Sequence, residues 1–217
     1  MDGRFQDRTA AGHALAARLA AYAGRPDVVV LALPRGGIPV GYEVARTLGV
    51  EFDILIVRKL GVPGYPELAM GAIASGGARY LNRDLLQQLG ISPHALTDVL
   101  EQEQAELRRR EALYRGSRPP LDIRGRQVIV VDDGMATGAS MRVAVQSLRS
   151  AAPARVIVAV PVAPVAGAER FEGIADEFIS VLSPADFHAV GQYYVHFDQT
   201  SDDEVRALLQ RARGEAA

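Results

Sequence analysis

The chain has 217 residues, 48% of them hydrophobic, so it is long enough to bury a sizeable core, and we expect one α/β domain over residues 1–217. Its 24 basic and 26 acidic residues give a formal net charge of −2, which argues against a nucleic-acid or anionic-membrane surface. It has no cysteine, which excludes disulfides and thiolate metal sites, and no apolar run of membrane-spanning or secretory-signal type, so we expect a cytoplasmic protein.

The first 81 residues alternate helical and strand patterns. Asp7 or Thr9 can cap a first helix, and later glycines and prolines mark the turns. The pattern predicts a strand over residues 28–33, a helix over 39–48, a strand over 53–57, a loop over 61–66 and a strand over 68–74.

Residues 82–118 change to a long, charged helical pattern with a narrow apolar stripe, which we interpret as an inserted helical hairpin. A solvated outer face is the simplest reading of its charges, and a lid or a dimer arm is the alternative. The remaining patterns predict strands over residues 128–131, 155–161 and 176–182, a helix over 166–172 and a final helix capped by Ser201. Strands that alternate with helices indicate a parallel sheet.

The stretch VIVVDDGMATGAS, residues 128–140, sets two carboxylates and a glycine-punctuated loop with hydroxyl groups after a buried strand. A helix is predicted directly behind the loop, and its N-terminus can hold a phosphate. Asp132 and Asp133 suit vicinal hydroxyls and tolerate a divalent cation. These features together favour a ribose 5-phosphate, and the alternative is a plain turn in which Thr137 and Ser140 only cap the helix.

These thirteen residues resemble the motif with which type I phosphoribosyltransferases bind PRPP, 5-phosphoribosyl 1-diphosphate. The resemblance implies a Rossmann-like open parallel sheet flanked by helices, with a small C-terminal hood at about 184–199. The helical hairpin inserted at about 82–118 is atypical of the best-known members of the family. The resemblance also implies that ribose 5-phosphate moves from PRPP to a nitrogen acceptor, a purine or pyrimidine base, with release of diphosphate. Mg²⁺ is the implied cofactor, and a homodimer the implied assembly.

The resemblance also assigns residues to the PRPP site. It makes Arg35, Gly36 and Gly37 the diphosphate-binding loop, with a non-proline cis peptide near Pro34 to Gly36, and it places Lys59 before a mobile loop. Asp132 and Asp133 are expected to hold the ribose diol and to bind Mg²⁺ directly or through ribose hydroxyls or water. The expected catalytic residues are Arg35, Lys59 and Asp133, and the other expected PRPP contacts are Gly134, Met135, Ala136, Thr137, Gly138, Ala139 and Ser140.

The acceptor stays open at this stage. Enzymes of the family that act on 6-oxopurines carry an aspartate immediately before the TG of the motif, where this chain has Ala136, so the motif is closer to that of the adenine and orotate enzymes. The hood offers aromatic rings for stacking, although rings at such spacing are commonly core: Phe187, Tyr193, Tyr194 and Phe197. Two other classes of function remain, a PRPP or nucleotide sensor without turnover that regulates a partner, and a hydrolase that uses water as the acceptor.

Overall fold

An open five-stranded parallel sheet forms the centre of the computed structural model, which describes residues 3–215. Its strands are β1 (Val28–Ala32), β2 (Glu51–Ile54), β6 (Gln127–Val131), β7 (Arg155–Val162) and β8 (Glu177–Leu182). They lie in the order β2-β1-β6-β7-β8, and every neighbouring pair is parallel. The predicted Rossmann-like open parallel sheet is therefore confirmed.

Helices cover both faces of this sheet. One face packs on α1 (Arg8–Arg18), α2 (Gly37–Leu48) and α6 (Asp202–Glu215), and the other packs on α5 (Ala139–Arg149). All residues of β1 and β6 are buried, as the unbroken β-branched runs of these strands predict. The helix predicted over 166–172 is instead a short 3₁₀ helix at Val165–Phe171. No helix within residues 3–215 has the length and apolar character needed to cross a membrane.

A second, antiparallel sheet was not predicted. It contains β3 (Val57–Val62), β4 (Tyr65–Ala74) and β5 (Arg79–Leu81). The loop predicted over 61–66 was wrong at both ends, because the turn has only two residues, Pro63 and Gly64, between the paired Val62 and Tyr65. Gly64 has a φ of +81°, and Pro-Gly suits a type II turn, so this composition belongs to a hairpin tip and not to a long loop.

The segment over residues 82–118 forms two helices, α3 (Arg83–Gln88) and α4 (Pro93–Arg115), which Asn82 and Ser92 cap. The helices pack on the rest of the fold and do not stand free. The Tyr114 hydroxyl donates to Oδ1 of Asp202 at the start of α6, at 2.6 Å. Near its middle, α4 contacts β3 through an ion pair between Glu103 and Arg58, with Nε and Oε2 2.7 Å apart.

Candidate active site

The carboxyl ends of β1 and β6 lie side by side at the centre of the sheet, so the turn after β1 meets the acid pair after β6. A Cβ atom on Gly36 would lie 2.0 Å from Oδ2 of Asp133, and one on Gly37 would lie 2.9 Å from Cα of Asp132. Only glycine fits at these two positions without displacing the acids. The peptide bond between Pro34 and Arg35 is a cis bond to a residue other than proline, which confirms the expected non-proline cis peptide.

The two carboxylates of the acid pair are poorly solvated. Burial and the negative charge of Asp133 raise the pKa of Asp132 well above its usual range. Burial also raises the pKa of Asp133, against the opposing effect of the Arg8 guanidinium. Within the pair, the N–H of Asp133 donates to Oδ1 of Asp132 at 2.9 Å. A ligand that donates hydrogen bonds, or a cation, would therefore be stabilised here, because either one favours the ionised carboxylates.

Arg8, at the start of α1, reaches the acid pair, and the sequence reasoning missed it. Its Nε and Nη2 lie 3.0 and 2.8 Å from Oδ2 of Asp133. Its Nη1 donates to the carbonyl of Asp198 at 2.6 Å, and its guanidinium carbon lies 4.2 Å from the ring centre of Phe197. One signal could have indicated Arg8, since it follows the helix cap Asp7 directly, where the helix dipole disfavours positive charge.

The candidate hood segment, residues 184–199, covers the acid pair from one side. Tyr194 of this segment forms a parallel bridge with Phe5, and their ring centres are 5.5 Å apart. The buried Tyr194 hydroxyl donates to the carbonyl of Asp133 at 2.5 Å. The N-terminal residues of the described chain therefore meet the hood segment beside the carboxyl end of β6.

The four hood aromatics occupy different environments. Phe187 and Tyr193 stack on each other with ring centres 5.6 Å apart, and Tyr194 is buried. Phe197 is 38% exposed, and its ring lies at the acid-pair end of the segment, beside Arg8. Of these four rings, Phe197 is the one placed to contact a ligand at the acid pair.

The loop between β6 and α5 leaves amide groups free for an anion. Gly138 precedes α5 with a φ of +74° and offers no capping side chain. The contact from the N–H of Ala139 to the Thr137 hydroxyl is long, at 3.4 Å. Nη1 of Arg170 donates to the carbonyl of Ala136 at 2.7 Å and holds the loop from outside. The first N–H groups of α5 therefore suit a phosphate.

Five of the predicted site residues line two clefts, Arg35, Gly36 and Asp133 in one and Lys59 and Ser140 in the other. The first, of about 370 Å³, lies at the acid pair and is lined by Arg8, Arg35, Gly36, Asp133, Phe197, Gln199 and Thr200. The second, of about 590 Å³, lies between the β3–β4 hairpin, α4 and α5, and it includes Lys59 and Ser140. Lys59 lines the second cleft and not the first. Nη1 of Arg35 lies 3.7 Å from Oδ1 of Asp202.

The acid pair fits a magnesium ion that arrives with its ligand. Among residues 3–215, no three His, Asp or Glu side chains form a group able to hold a metal ion by themselves. Mg²⁺ commonly keeps several waters and binds through one or two carboxylates together with substrate phosphates. Asp132 and Asp133 supply that number, and a nearby cation would favour their charged forms, against the burial that raises their pKa values.

Comparison with known proteins gives one consistent result. A family model described as "Phosphoribosyl transferase domain" matches residues 5–198. A Mycobacterium tuberculosis H37Rv protein named "Putative phosphoribosyl transferase Rv0571c" is 47% identical over 213 residues, which cover 98% of this chain and 48% of that protein. The chain thus spans about half the length of the curated relatives it matches. The crystal structure of protein TT1426 from Thermus thermophilus is similar with 44% identity and a TM-score of 0.84, over 96% of this chain and 98% of that one.

Proposed function

The chain belongs to the phosphoribosyl transferase family, and on that premise we propose that it transfers the 5-phosphoribosyl group of PRPP to a nitrogen acceptor with release of diphosphate. One observation carries the proposal, namely the direct contact between the Arg35–Gly37 turn and the acid pair. A diphosphate on that turn and a ribose diol on those acids would place the anomeric carbon, C1, between them. A purine or a pyrimidine base is the acceptor class that we favour.

The 5-phosphate end of PRPP would bind at the N-terminus of α5. The loop from Ala136 to Ser140 supplies unpaired amide groups there, and the hydroxyl groups of Thr137 and Ser140 are exposed beside them. This contact is remote from the bond that breaks, so its binding energy serves to hold C1 in position. The contacts proposed for the rest of this loop extend from Gly134 to Ala139.

The chemical step breaks the bond between C1 and the diphosphate oxygen and forms a bond from C1 to the acceptor nitrogen. Negative charge grows on the diphosphate as it leaves. The Arg35 guanidinium and the amide groups of Gly36 and Gly37 would meet that charge, and one well-placed donor can change a rate by about a hundredfold. Asp132 and Asp133 would hold the ribose hydroxyls. When bound, Mg²⁺ supplies positive charge that neutralises the diphosphate.

The role proposed for Lys59 is coupled to a movement of the hairpin. Its exposed side chain lies in the second cleft, on the strand that precedes the Pro63-Gly64 turn. A movement of the β3–β4 hairpin towards the acid pair would bring the ammonium group to the diphosphate and exclude water from the reacting sugar. We therefore assign Lys59 to the closed, substrate-bound state of the enzyme.

The acceptor would enter beside the hood. The exposed ring of Phe197 offers a stacking surface, and the Thr200 hydroxyl in the same cleft is buried without a hydrogen-bond partner among the described residues. An acceptor with a flat ring and a polar edge suits these two groups. A homodimer in the cytoplasm that serves nucleotide metabolism completes the proposal.

The direct test is calorimetric titration of PRPP with Mg²⁺ into the purified protein, followed by assays of diphosphate release with a panel of purine and pyrimidine bases. PRPP binding with release that depends on one base would support the proposal and identify the acceptor. Binding without release for any base would point to a sensor, and release without a base would point to a hydrolase. An absence of PRPP binding would refute the proposed function.

A further inference from the structure

In the ion pair between Arg8 and Asp133, two nitrogens of Arg8 converge on one carboxylate oxygen, as two nitrogens of Arg46 do on Oε2 of Glu43. Nε and Nη2 lie 3.0 and 2.8 Å from Oδ2, so Arg8 leaves Oδ1 unused. The exposed pair of Arg25 and Asp27 differs, because there Nε contacts Oδ1 at 3.1 Å and Nη2 contacts Oδ2 at 2.9 Å. A fork that pairs with both oxygens maximises the hydrogen bonds of an ion pair. The Arg8 contact keeps one oxygen available instead.

The position of Oδ2 is restricted from a second side. A Cβ on Gly36 would lie 2.0 Å from it, so the backbone of the Arg35–Gly37 turn lies directly against this oxygen. The side chains of Arg8 and Asp133 are only 13% and 16% exposed. Together these contacts fix the rotation of the carboxylate group, and the direction in which Oδ1 points is fixed with it.

Arg8 is itself held by the hood. Its Nη1 donates to the Asp198 carbonyl at 2.6 Å, and its guanidinium lies over the Phe197 ring, a contact that favours a planar cation. One side chain therefore connects α1, the acid pair and the hood. A lysine could carry the same charge, but its ammonium could not reproduce this planar set of contacts.

We propose that Arg8 is a positioning residue of the transferase site, which holds Oδ2 of Asp133 so that Oδ1 faces the hydroxyl groups of the bound ribose. This inference rests on the proposed function. It distinguishes Arg8 from Arg35, which would contact the diphosphate itself, because Arg8 acts through Asp133. It also gives the hood a second role, since Asp198 and Phe197 determine where the Arg8 guanidinium lies.

Three ligands separate this role from its alternatives. With Mg²⁺ present, Arg8→Met should weaken PRPP and ribose 5-phosphate by a similar factor, about ten- to a hundredfold, because both carry the diol and a charged hydrogen-bond network is lost. Diphosphate, which has no hydroxyl groups for Asp133, should lose less affinity than either of these ligands, because only the change in charge acts on it. Arg8→Lys should restore part of the lost affinity. Arg25→Met, which removes the same charge at an exposed pair, is the matched control and should change none of the three affinities.

A double-mutant cycle with Asp133→Asn completes the test. If Arg8 acts through Asp133, Arg8→Met should cost less than about threefold in PRPP affinity once Asp133 is asparagine, so the two effects are not additive. Additive effects would overturn the proposal, as would a loss confined to PRPP and diphosphate, which would make Arg8 a direct diphosphate ligand. Thermal melting identifies variants that unfold. If Arg8→Met is unfolded, Arg8→Lys takes its place in the cycle. If the wild-type protein binds no PRPP, the proposed function fails and the role of Arg8 fails with it. If the wild-type protein binds PRPP but the effects of the two substitutions are additive, only the role of Arg8 is refuted.

Discussion

Two Asp–Arg pairs join strand ends of the central sheet to distant helices, and they differ in how completely they are paired. In the pair of Asp53 and Arg115, Nε lies 3.1 and 3.0 Å from the two carboxylate oxygens, and Nη1 contacts Glu111 at 2.9 Å. The side chains of Arg115 and Asp53 are only 2% and 7% exposed. The pair of Asp133 and Arg8 is more exposed and leaves one oxygen outside the ion pair. The closed pair is complete without a ligand, so it serves the fold, and the open pair has capacity left for one.

The largest expected effect is on the closed pair. Arg115→Met should lower the free energy of unfolding by about 3–5 kcal/mol, because it leaves the buried Asp53 carboxylate without its partner. Urea unfolding measures this change, and PRPP affinity of the folded variant should stay within about twofold of the wild type. Replacing both residues, as Asp53→Leu with Arg115→Met, should cost less than the single change. Lost PRPP affinity with unchanged stability would assign this pair to the binding site and break the comparison.

The acid pair should show the reverse pattern. Asp132→Asn with Asp133→Asn is expected to weaken PRPP binding by about a hundredfold, because two charge-assisted hydrogen bonds to the diol become neutral ones. Calorimetry in the presence of Mg²⁺ measures the loss. Since burial disfavours the ionised form of Asp132, Asp132→Asn alone should raise the melting temperature, which separates lost affinity from lost structure. Unchanged PRPP affinity in the double variant would remove the acid pair from the site.

A smaller effect is expected from one added methyl group. Gly36→Ala should weaken PRPP by about tenfold, since its Cβ would meet Oδ2 of Asp133 at 2.0 Å and displace the carboxylate. Gly36 has a φ of −60°, so alanine suits the backbone, and only the side-chain contact changes. Gly214→Ala is the control, because nothing lies within 4 Å of its Cβ. Equal PRPP affinity in both variants would show that Asp133 need not stay where the structure places it.

The smallest effect is expected at a third pair, of Arg58 and Glu103, whose side chains are 27% and 17% exposed. Arg58→Met should change the free energy of unfolding by less than about 1 kcal/mol, because partly exposed ion pairs contribute little. Urea unfolding measures this change in free energy, and Glu103→Gln, which removes the opposite charge, is measured in the same way for comparison. A loss as large as that of Arg115→Met would mean that α4 depends on this contact for its docking.

Local pattern was enough to predict four of the five strands of the main sheet. The strand predicted over 53–57 was wrong in its bounds, since it shares only Asp53 and Ile54 with β2, and Val57 begins β3 of the other sheet. The buried run at Val128 to Val131 and the glycines after it define a strand, a loop and a helix through short-range preferences alone. Parallel pairing then brings the carboxyl ends of β1 and β6 to one edge, so the contact between Gly36 and Asp133 follows from topology. The strands, the loops after them and the meeting of the two loops could therefore be predicted from short stretches of sequence.

The features that the sequence did not predict depend on distant residues. Arg8 and Asp133 are 125 positions apart, and nothing in the local pattern of either residue identifies the other. The hairpin sheet was missed because Pro63 and Gly64 break a strand and also form a tight turn, and only the pairing of Val62 with Tyr65 decides between them. The location of Lys59 depends on that hairpin, so its cleft could not be anticipated either.

The bond from Arg8 to the carbonyl of Asp198 spans 190 positions of the chain, and this span has a consequence during synthesis. Chains grow from the N-terminus at about 5–20 residues per second, so roughly 10 to 40 s separate the synthesis of the two partners. The strands β1 and β6 can pair on the ribosome well before the hood emerges. A nascent chain therefore carries its acid pair uncovered, and the pocket takes its final form only when the hood has left the exit tunnel.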